Sequence, residues 1–448
     1  EMNRFNSQNM EIIFMKFFTL IFLAVCFSAS LIYGDTAVNV NLMPIPQNMK
    51  MQDGELRLND DFRIAITGVD DMRIFKGASR ALRRLSGRTG LFFPQEFVVP
   101  ADKNAVMTIK VNRRGKVKLG EDESYTLSIS SSAILLESET DIGALRGLET
   151  FLQLLQADKK GYFFPAVKIE DEPRFPWRGL MIDASRQWQP VDVIKRNLDG
   201  MAAAKMNVLH WHLSEDQGFR VECKTFPKLH ELGSDGFYYT YEQIQEVIDY
   251  AADRGIRVMP EFDIPGHSTA WFVGYPEYAS APGPYTIERR WGIMDPTFDP
   301  TKKETYEFFD AFFKEMCALF PDDYMHIGGD ENNGKQWDAN KDIQKFMKEN
   351  DIADNHELQS HFNKHILKIL TKYDKKMIGW DEILQPDSPK DIVIQSWRGK
   401  ESLINAAKTG YNVLLSNGYY IDLIQTTDYH YLNDPLTADM ELTPEQAK

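Results

Sequence analysis

Tyr324-Met325-His326-Ile327-Gly328-Gly329-Asp330-Glu331 packs a strand, a turn and two charges into one short stretch. Tyr324 to Ile327 is an apolar run that reads as a buried strand. Gly328 and Gly329 then allow a sharp turn and a close approach between backbone and ligand. Asp330 and Glu331 follow at once. A carboxylate pair at the end of a strand is costly to fold around unless it faces a cleft or is well hydrogen-bonded. The bland reading of an Asp-Glu pair is a solvated turn; the two glycines and the apolar strand favour a site.

Working outward, the same rhythm recurs on both sides. Leu180 to Asp183, Val208 to His212, Arg257 to Glu261, Lys376 to Gly379, Ile392 to Gln395 and Asn412 to Leu415 read as strands. Between them lie helices over Pro190 to Lys205, Tyr241 to Arg254, Lys302 to Leu319, Asn340 to Glu349, Glu357 to Lys372 and Glu401 to Thr409. The first of these is expected to bury Val191, Ile194, Leu198 and Met201. Strands alternating with helices predict a parallel sheet wound by right-handed crossovers. A doubly wound sheet would satisfy the pattern. A TIM-type (β/α)8 barrel fits better, because the strands end in Asp183, His212, Glu261, Asp330, Trp380 and Trp397. In a barrel those carboxyl ends meet at one mouth. Seven strands are legible, one short of closure, and Thr443 to Lys448 reads as a helix start. The expectation is a barrel over 173–448 that lacks its last strand.

Ahead of Pro173 and Pro176 the character differs. Residues 36–172 contain no tryptophan and no histidine, whereas all eight tryptophans and nine histidines lie beyond. Strands are expected at Phe62 to Ile66, Ala105 to Val111, Tyr125 to Ser130 and Ala133 to Leu136, with a helix over Met72 to Ser86 whose Arg80, Arg83 and Arg84 are solvated. A second helix carries Ile142, Leu145, Leu148, Leu152 and Leu155 on one face, capped by Thr140 and Asp141. This reads as a supporting α+β domain. Within residues 1–35, Lys16 precedes the apolar run Phe17 to Phe27 and the small-x-small triplet Ser28-Ala29-Ser30. That is the layout of a secretory leader, so the protein is expected to be exported, to the periplasm, the cell surface or the medium. A lipid anchor on Cys26 is the competing reading, weakened by the bulky Val25. The residues before Met15 read as upstream sequence.

With 448 residues, 43% hydrophobic, the chain has ample core. Its net charge of −15 argues against nucleic acid or an anionic membrane surface as partner. Beyond the leader only Cys223 and Cys317 remain, too few for a disulfide framework.

Two kinds of chemistry suit the mouth. His210 and His212 share one side of their strand, and with His267, His326 and Asp330 they match the donor set of a metal-dependent amidohydrolase barrel. Alternatively, Trp380 and Trp397 at strand ends, beside a carboxylate pair, suit the C–H faces of a sugar. Tyr420 and Asp422 follow the seventh strand and join that wall, and Arg186 can fork its donors onto hydroxyls. Retaining glycosidases ordinarily set acid and nucleophile about 5 Å apart across the scissile bond. Neighbouring residues diverge, so Asp330 and Glu331 fit a reaction in which the substrate brings its own nucleophile.

His326 to Glu331 (H-I-G-G-D-E), His210 to Arg220 (H-W-H-L-S-E-D-Q-G-F-R) and Pro260 to His267 (P-E-F-D-I-P-G-H) resemble the family 20 glycoside hydrolases, the β-N-acetylhexosaminidases. Trp177 to Arg186, Gly379 to Glu382 and Tyr420 to Asp422 are similar too, in family order. The resemblance implies exo-cleavage of terminal β-linked N-acetylglucosamine or N-acetylgalactosamine, without cofactor or metal, from glycans or glycoconjugates. It assigns Glu331 as acid and base, and Asp330 as the group that holds the acetamido N–H. Tyr420 would bond the acetamido oxygen, Trp380 and Trp397 would enclose its methyl, and Arg186 and Asp422 would bind hydroxyls. Glu215, His267 and His212 would support Glu331. Two positions depart from the common family pattern: Glu215 stands where many members have Asp, and Gln187 where they have His. The family's last strand brings a Gly-Gly-Glu…Trp segment that closes the pocket, so the 448-residue chain is expected to be poorly active or unstable alone. A catalytically dead sugar-binding barrel is a third reading, opposed by intact Asp330, Glu331 and Tyr420.

Overall fold

The computed structural model of the chain describes residues 40–94, 96, 98–100, 104–385 and 388–447. The leader reading falls outside these residues. Eight strands precede the barrel: β1 (Asn48–Arg57), β2 (Ile64–Gly68), β3 (Val98–Pro100), β4 (Met107–Arg113), β5 (Tyr125–Ile129), β6 (Ile134–Thr140), β7 (Gln156–Asp158) and β8 (Gly161–Asp171). They form a mixed sheet in the order β1-β8-β5-β6-β4-β2-β3, with β7 on β8. Alternate residues such as Leu127 and Ile129, or Ile134 and Leu136, point into a core shared with the helices Met72–Thr89 and Asp141–Gln153.

Several local expectations change here. Strand β1 reads as polar because almost all of it is exposed, and β8 contains Pro165, opposite a register shift in β1. Neither carries the alternation that marks a strand. Thr140 caps its helix by accepting from Gly143 N, but Asp141 turns away and takes Arg73 Nη1 at 2.9 Å and Gly115 N at 2.6 Å. Of the three arginines read as solvated, only Arg83 is exposed. Arg84 binds Glu149 on the other helix of the same domain, and Arg80 donates to the Asp253 carbonyl of the barrel at 2.7 Å.

The second sheet holds β9 (Gly179–Asp183), β10 (Val208–His212), β13 (Arg257–Glu261), β14 (Tyr324–His326), β15 (Lys376–Trp380), β16 (Val393–Ser396) and β17 (Asn412–Leu415). Between β10 and β13 a small antiparallel pair, β11 (Ser214–Glu215) and β12 (Gly218–Phe219), folds over the mouth end. The seven strands are all parallel and lie side by side in chain order. A doubly wound sheet reverses direction at a switch point. This one does not, so its winding is that of a TIM-type barrel, curled and open between β17 and β9 among the described residues.

The seven strands and six main helices coincide with the expected ones to within a few residues. Ile194, Leu198 and Met201 are buried as expected, and Val191 packs at the core's margin. Outside the sheet, Trp271 is ringed by six phenylalanines, with Phe219 and Phe312 edge-on at 4.9 Å between centroids. Each such ring contributes about 1.5–3 kcal/mol by burial, so the wall behind the mouth is stiff. Cys223 and Cys317 are both buried free thiols.

Candidate active site

Strand register builds the site. It sets His212 beside Asp183 on one neighbour and Glu261 on the other, and Glu261 beside His326. Glu261 is thereby ringed by nitrogen. His210 Nε2 and His212 Nδ1 lie 2.7 Å from its carboxylate, Trp380 Nε1 at 3.0 Å and His326 Nδ1 at 3.1 Å. Burial alone would favour the neutral acid, yet His212, His326 and His210 hold the carboxyl well below its usual range. Against its own burial, His212 is held well above the ordinary imidazole value by Glu261 and Asp183. For His210 burial wins, and its value drops to about 4.

A second relay runs from Arg186 to the carboxylate pair. Arg186 anchors on Asp183 through Nη1 (2.9 Å) and its own backbone N–H (2.8 Å), and its other end contacts Glu215. Glu215 reaches His267 Nδ1 at 3.1 Å and His212 Nε2 at 3.7 Å. The far nitrogen, His267 Nε2, faces both carboxylates, at 3.5 Å from Glu331 and 3.8 Å from Asp330. Burial opposes charging His267, but Glu215 and Asp330 raise it well above its ordinary value. Burial raises Asp330, with His267 opposing. The chain bends hard to present these groups. His267 and Glu331 have φ of 51° and 49°, a left-handed conformation that non-glycine residues adopt at a cost, and one that clusters at functional sites.

The glycines before the pair are needed for space as well as turn. A Cβ on Gly328 would lie 1.8 Å from Asp263 Oδ1, and one on Gly329 2.5 Å from Ile383 Cγ2. Gly329 N–H donates to Asp263 at 3.1 Å. Burial and the charge of Asp330 push the Asp263 carboxyl well above its usual range.

On the opposite side, Trp380 is buried against His326, ring centroids 5.1 Å apart. Trp397 is half-buried and donates Nε1–H to Glu382 at 3.0 Å. Burial, followed by the adjacent Asp381, pushes Glu382 up to about 8. Asp381 is taken by Arg398 Nε (2.8 Å) and Ser402 Oγ (2.5 Å). Tyr420 is half-buried, and burial together with Asp330 raises its phenol. Asp422 is exposed on the loop after β17.

The structure thus links Asp330, Glu331, His267, Glu215, His212 and Arg186 in one contact chain and ties in Trp380 through Glu261. Four triads could bring three ligand atoms within 4.8 Å: His210-Glu261-His326, His212-Glu215-Asp263, Glu215-Asp216-His267 and Asp263-His267-Asp330. In these, imidazole nitrogens already face carboxylate oxygens at hydrogen-bond and ion-pair distances. That is the arrangement of orienting groups. Glu261 is legible from sequence as a strand end but without a role, whereas Asp263 and Glu382 are missed although each lies two residues past a strand within a noticed motif.

Comparison with known proteins agrees with this arrangement. Residues 175–442 match the glycosyl hydrolase family 20 catalytic domain, and residues 42–154 a domain described as beta-acetyl hexosaminidase like. A beta-hexosaminidase of Porphyromonas gingivalis is 34% identical over 415 residues, covering 88% of this chain and 52% of that protein. The crystal structure of Flavobacterium johnsoniae chitobiase superposes with a TM-score of 0.88 at 50% identity, covering 91% of this chain and 63% of that one. An exo β-N-acetylglucosaminidase of Vibrio harveyi, solved in complex with N-acetylglucosamine, gives a TM-score of 0.70 at 30% identity, covering 84% and 60%. The chain spans about half the length of the Porphyromonas relative and about three fifths of the two solved enzymes. With the catalytic model matched across more than half of its residues, the chain belongs to glycosyl hydrolase family 20.

Proposed function

We propose that the full-length protein is an exo-acting β-N-acetylhexosaminidase that removes terminal N-acetylhexosamine from glycans with retention, the substrate's own acetamide acting as nucleophile. The carrying observation is the unequal setting of the adjacent carboxylates. Asp330 is the more enclosed, its side chain 15% exposed, while Glu331 is 30% exposed, and one histidine faces both. Such a pair supplies one proton shuttle and one fixed anion, and it leaves the attacking atom to the substrate.

In this reading the acetamido carbonyl oxygen attacks C1 as the bond from C1 to the leaving oxygen breaks. Glu331 gives its proton to that oxygen. Asp330 accepts the acetamido N–H and offsets the positive charge of the oxazolinium. Tyr420 donates to the acetamido oxygen, and Trp380 and Trp397 enclose the methyl. Arg186 and Asp422 bind hydroxyls. Water then attacks C1 and passes a proton to Glu331, the C1–amide oxygen bond breaks, and the amide is restored. Glu215 and His212 hold His267 against the pair. The small-residue motif behind Lys16 supports export as the place of action.

The test is an analogue with hydroxyl in place of acetamido at C2. The full-length protein should cleave the chromogenic N-acetyl glycoside faster by orders of magnitude, as expected for an intramolecular nucleophile. Equal rates would overturn the reading.

A further inference from the structure

The turn that leads into the carboxylate pair is held through every polar backbone group of its two glycines. Gly328 N–H donates to His326 Nδ1 at 3.0 Å, and Trp380 N–H donates to the Gly328 carbonyl at 2.9 Å. Gly329 N–H donates to Asp263 at 3.1 Å, and the Gly329 carbonyl accepts from Gln359 Nε2 at 2.6 Å. His326, Trp380 and Asp263 end or follow barrel strands, where the mouth is built. Gln359 does not. It lies on the helix Asn355–Lys372, is 7% exposed, and has no part in the reaction described above.

The helix that carries this amide is clamped from two directions. Leu358 belongs to a buried cluster with Trp337, Ile343 and Met347, and Phe362 enters the main barrel core. The amide is thereby a fixed donor, and the carbonyl it holds is well placed to matter. That carbonyl shares one planar peptide unit with Asp330 N, so holding the oxygen sets the plane from which Asp330 departs. Gly328 and Gly329, with φ of 67° and 92°, bring no side chains to restrict the turn, so its hydrogen bonds must do so. Glu331 follows with φ of 49°, a costly conformation that persists only where the surroundings over-determine it.

We propose that Gln359 is a positioning residue for the carboxylate pair: its amide latches the Gly329 carbonyl and so holds Asp330 where the oxazolinium charge develops. It acts through the backbone and not on the substrate. This rests on the hexosaminidase reading above and extends it to a helix outside the sheet.

The experiment uses the full-length protein and a chromogenic N-acetyl-β-glucosaminide. Gln359→Met keeps the length of the side chain and removes the donor. It should lower kcat by about tenfold to a hundredfold, the scale of a small misplacement of a reacting group, with little change in KM. It should also weaken binding of a thiazoline mimic of the oxazolinium more than binding of N-acetylglucosamine. Asn363→Leu is the control. It lies one turn along the same helix, and its buried amide makes no hydrogen bond among the described residues, so kcat should hold. Gln359→Asn, with its amide one methylene short, should lower kcat as well and carries the test if the methionine variant does not fold. An unchanged kcat in a folded Gln359 variant, a rise in KM alone, or an equal loss of kcat in Asn363→Leu overturns the latch. A wild-type protein that fails to cleave the glycoside removes the hexosaminidase reading, an outcome distinct from a variant that matches an active wild type.

Discussion

Glu123 and Glu261 are both carboxylates sealed among nitrogen donors, one at the seam between the two sheets and the other at the barrel mouth. Glu123 takes Arg178 Nη2 at 2.6 Å, Arg146 Nε at 2.7 Å and Asn207 Nδ2 at 2.8 Å. The remaining nitrogens of Arg146 continue to the carbonyls of Arg254 and Gly255. Lys205 closes the same seam on Asp171 and the Tyr125 hydroxyl. That network ends on protein and does no more than join two bodies. Around Glu261 the rings lead outward, to His267 Nε2 and Asp330 Oδ1, buried polar atoms with no hydrogen bond. Buried charge by itself does not mark a site. Polar atoms left unsatisfied beside a cleft do, because they hold interaction in reserve for a substrate.

The contrast can be broken by exchanging readouts. In the full-length protein, and on the proposed function, Glu331→Gln should lower kcat by about 10²–10⁴-fold while the urea unfolding midpoint stays near wild type. A loss confined to stability would place Glu331 with the seam charges. Glu123→Ala should do the reverse, destabilising by about 3–5 kcal/mol because two arginines lose their buried partner, with KM for a chromogenic N-acetylglucosaminide essentially kept. Activity lost before stability would mean that the seam reaches the mouth.

Glu382 sharpens the comparison through pH. Its folded value of about 8 lies above the unfolded value of about 4.3, so the folded state holds its proton more tightly. The stabilisation is complete below the unfolded value and is lost as pH rises through the folded one. Urea midpoints measured at about pH 5 and about pH 8 should therefore fall for the wild type and fall less for Glu382→Gln. Equal slopes would show that Glu382 does not titrate there. Last, Arg83→Ala, on the exposed face of the helix whose Arg80 and Arg84 are engaged, should change stability by no more than about 0.5 kcal/mol.

Much of the candidate site is legible in the sequence because strand ends carry it. Asp330, Glu331, Trp380 and Trp397 stand where an apolar run stops, and a parallel sheet brings such ends to one side. Glu261 was harder to read, since its role comes from histidines on three different segments meeting one carboxylate. Polar β1 and proline-containing β8 were illegible for a different reason: their pairing depends on backbone partners rather than on side-chain alternation.

Local pattern determined the strand and main helix spans of the barrel, its winding rhythm and the chemistry gathered at the strand ends, since periodicity and turn residues act over a few positions. Only the tertiary structure decided which charges face one another. It put Arg80 against the barrel, turned Asp141 away from its helix cap and set Trp291 over Arg186. Those outcomes depend on distances between segments far apart in the chain, which no local pattern encodes.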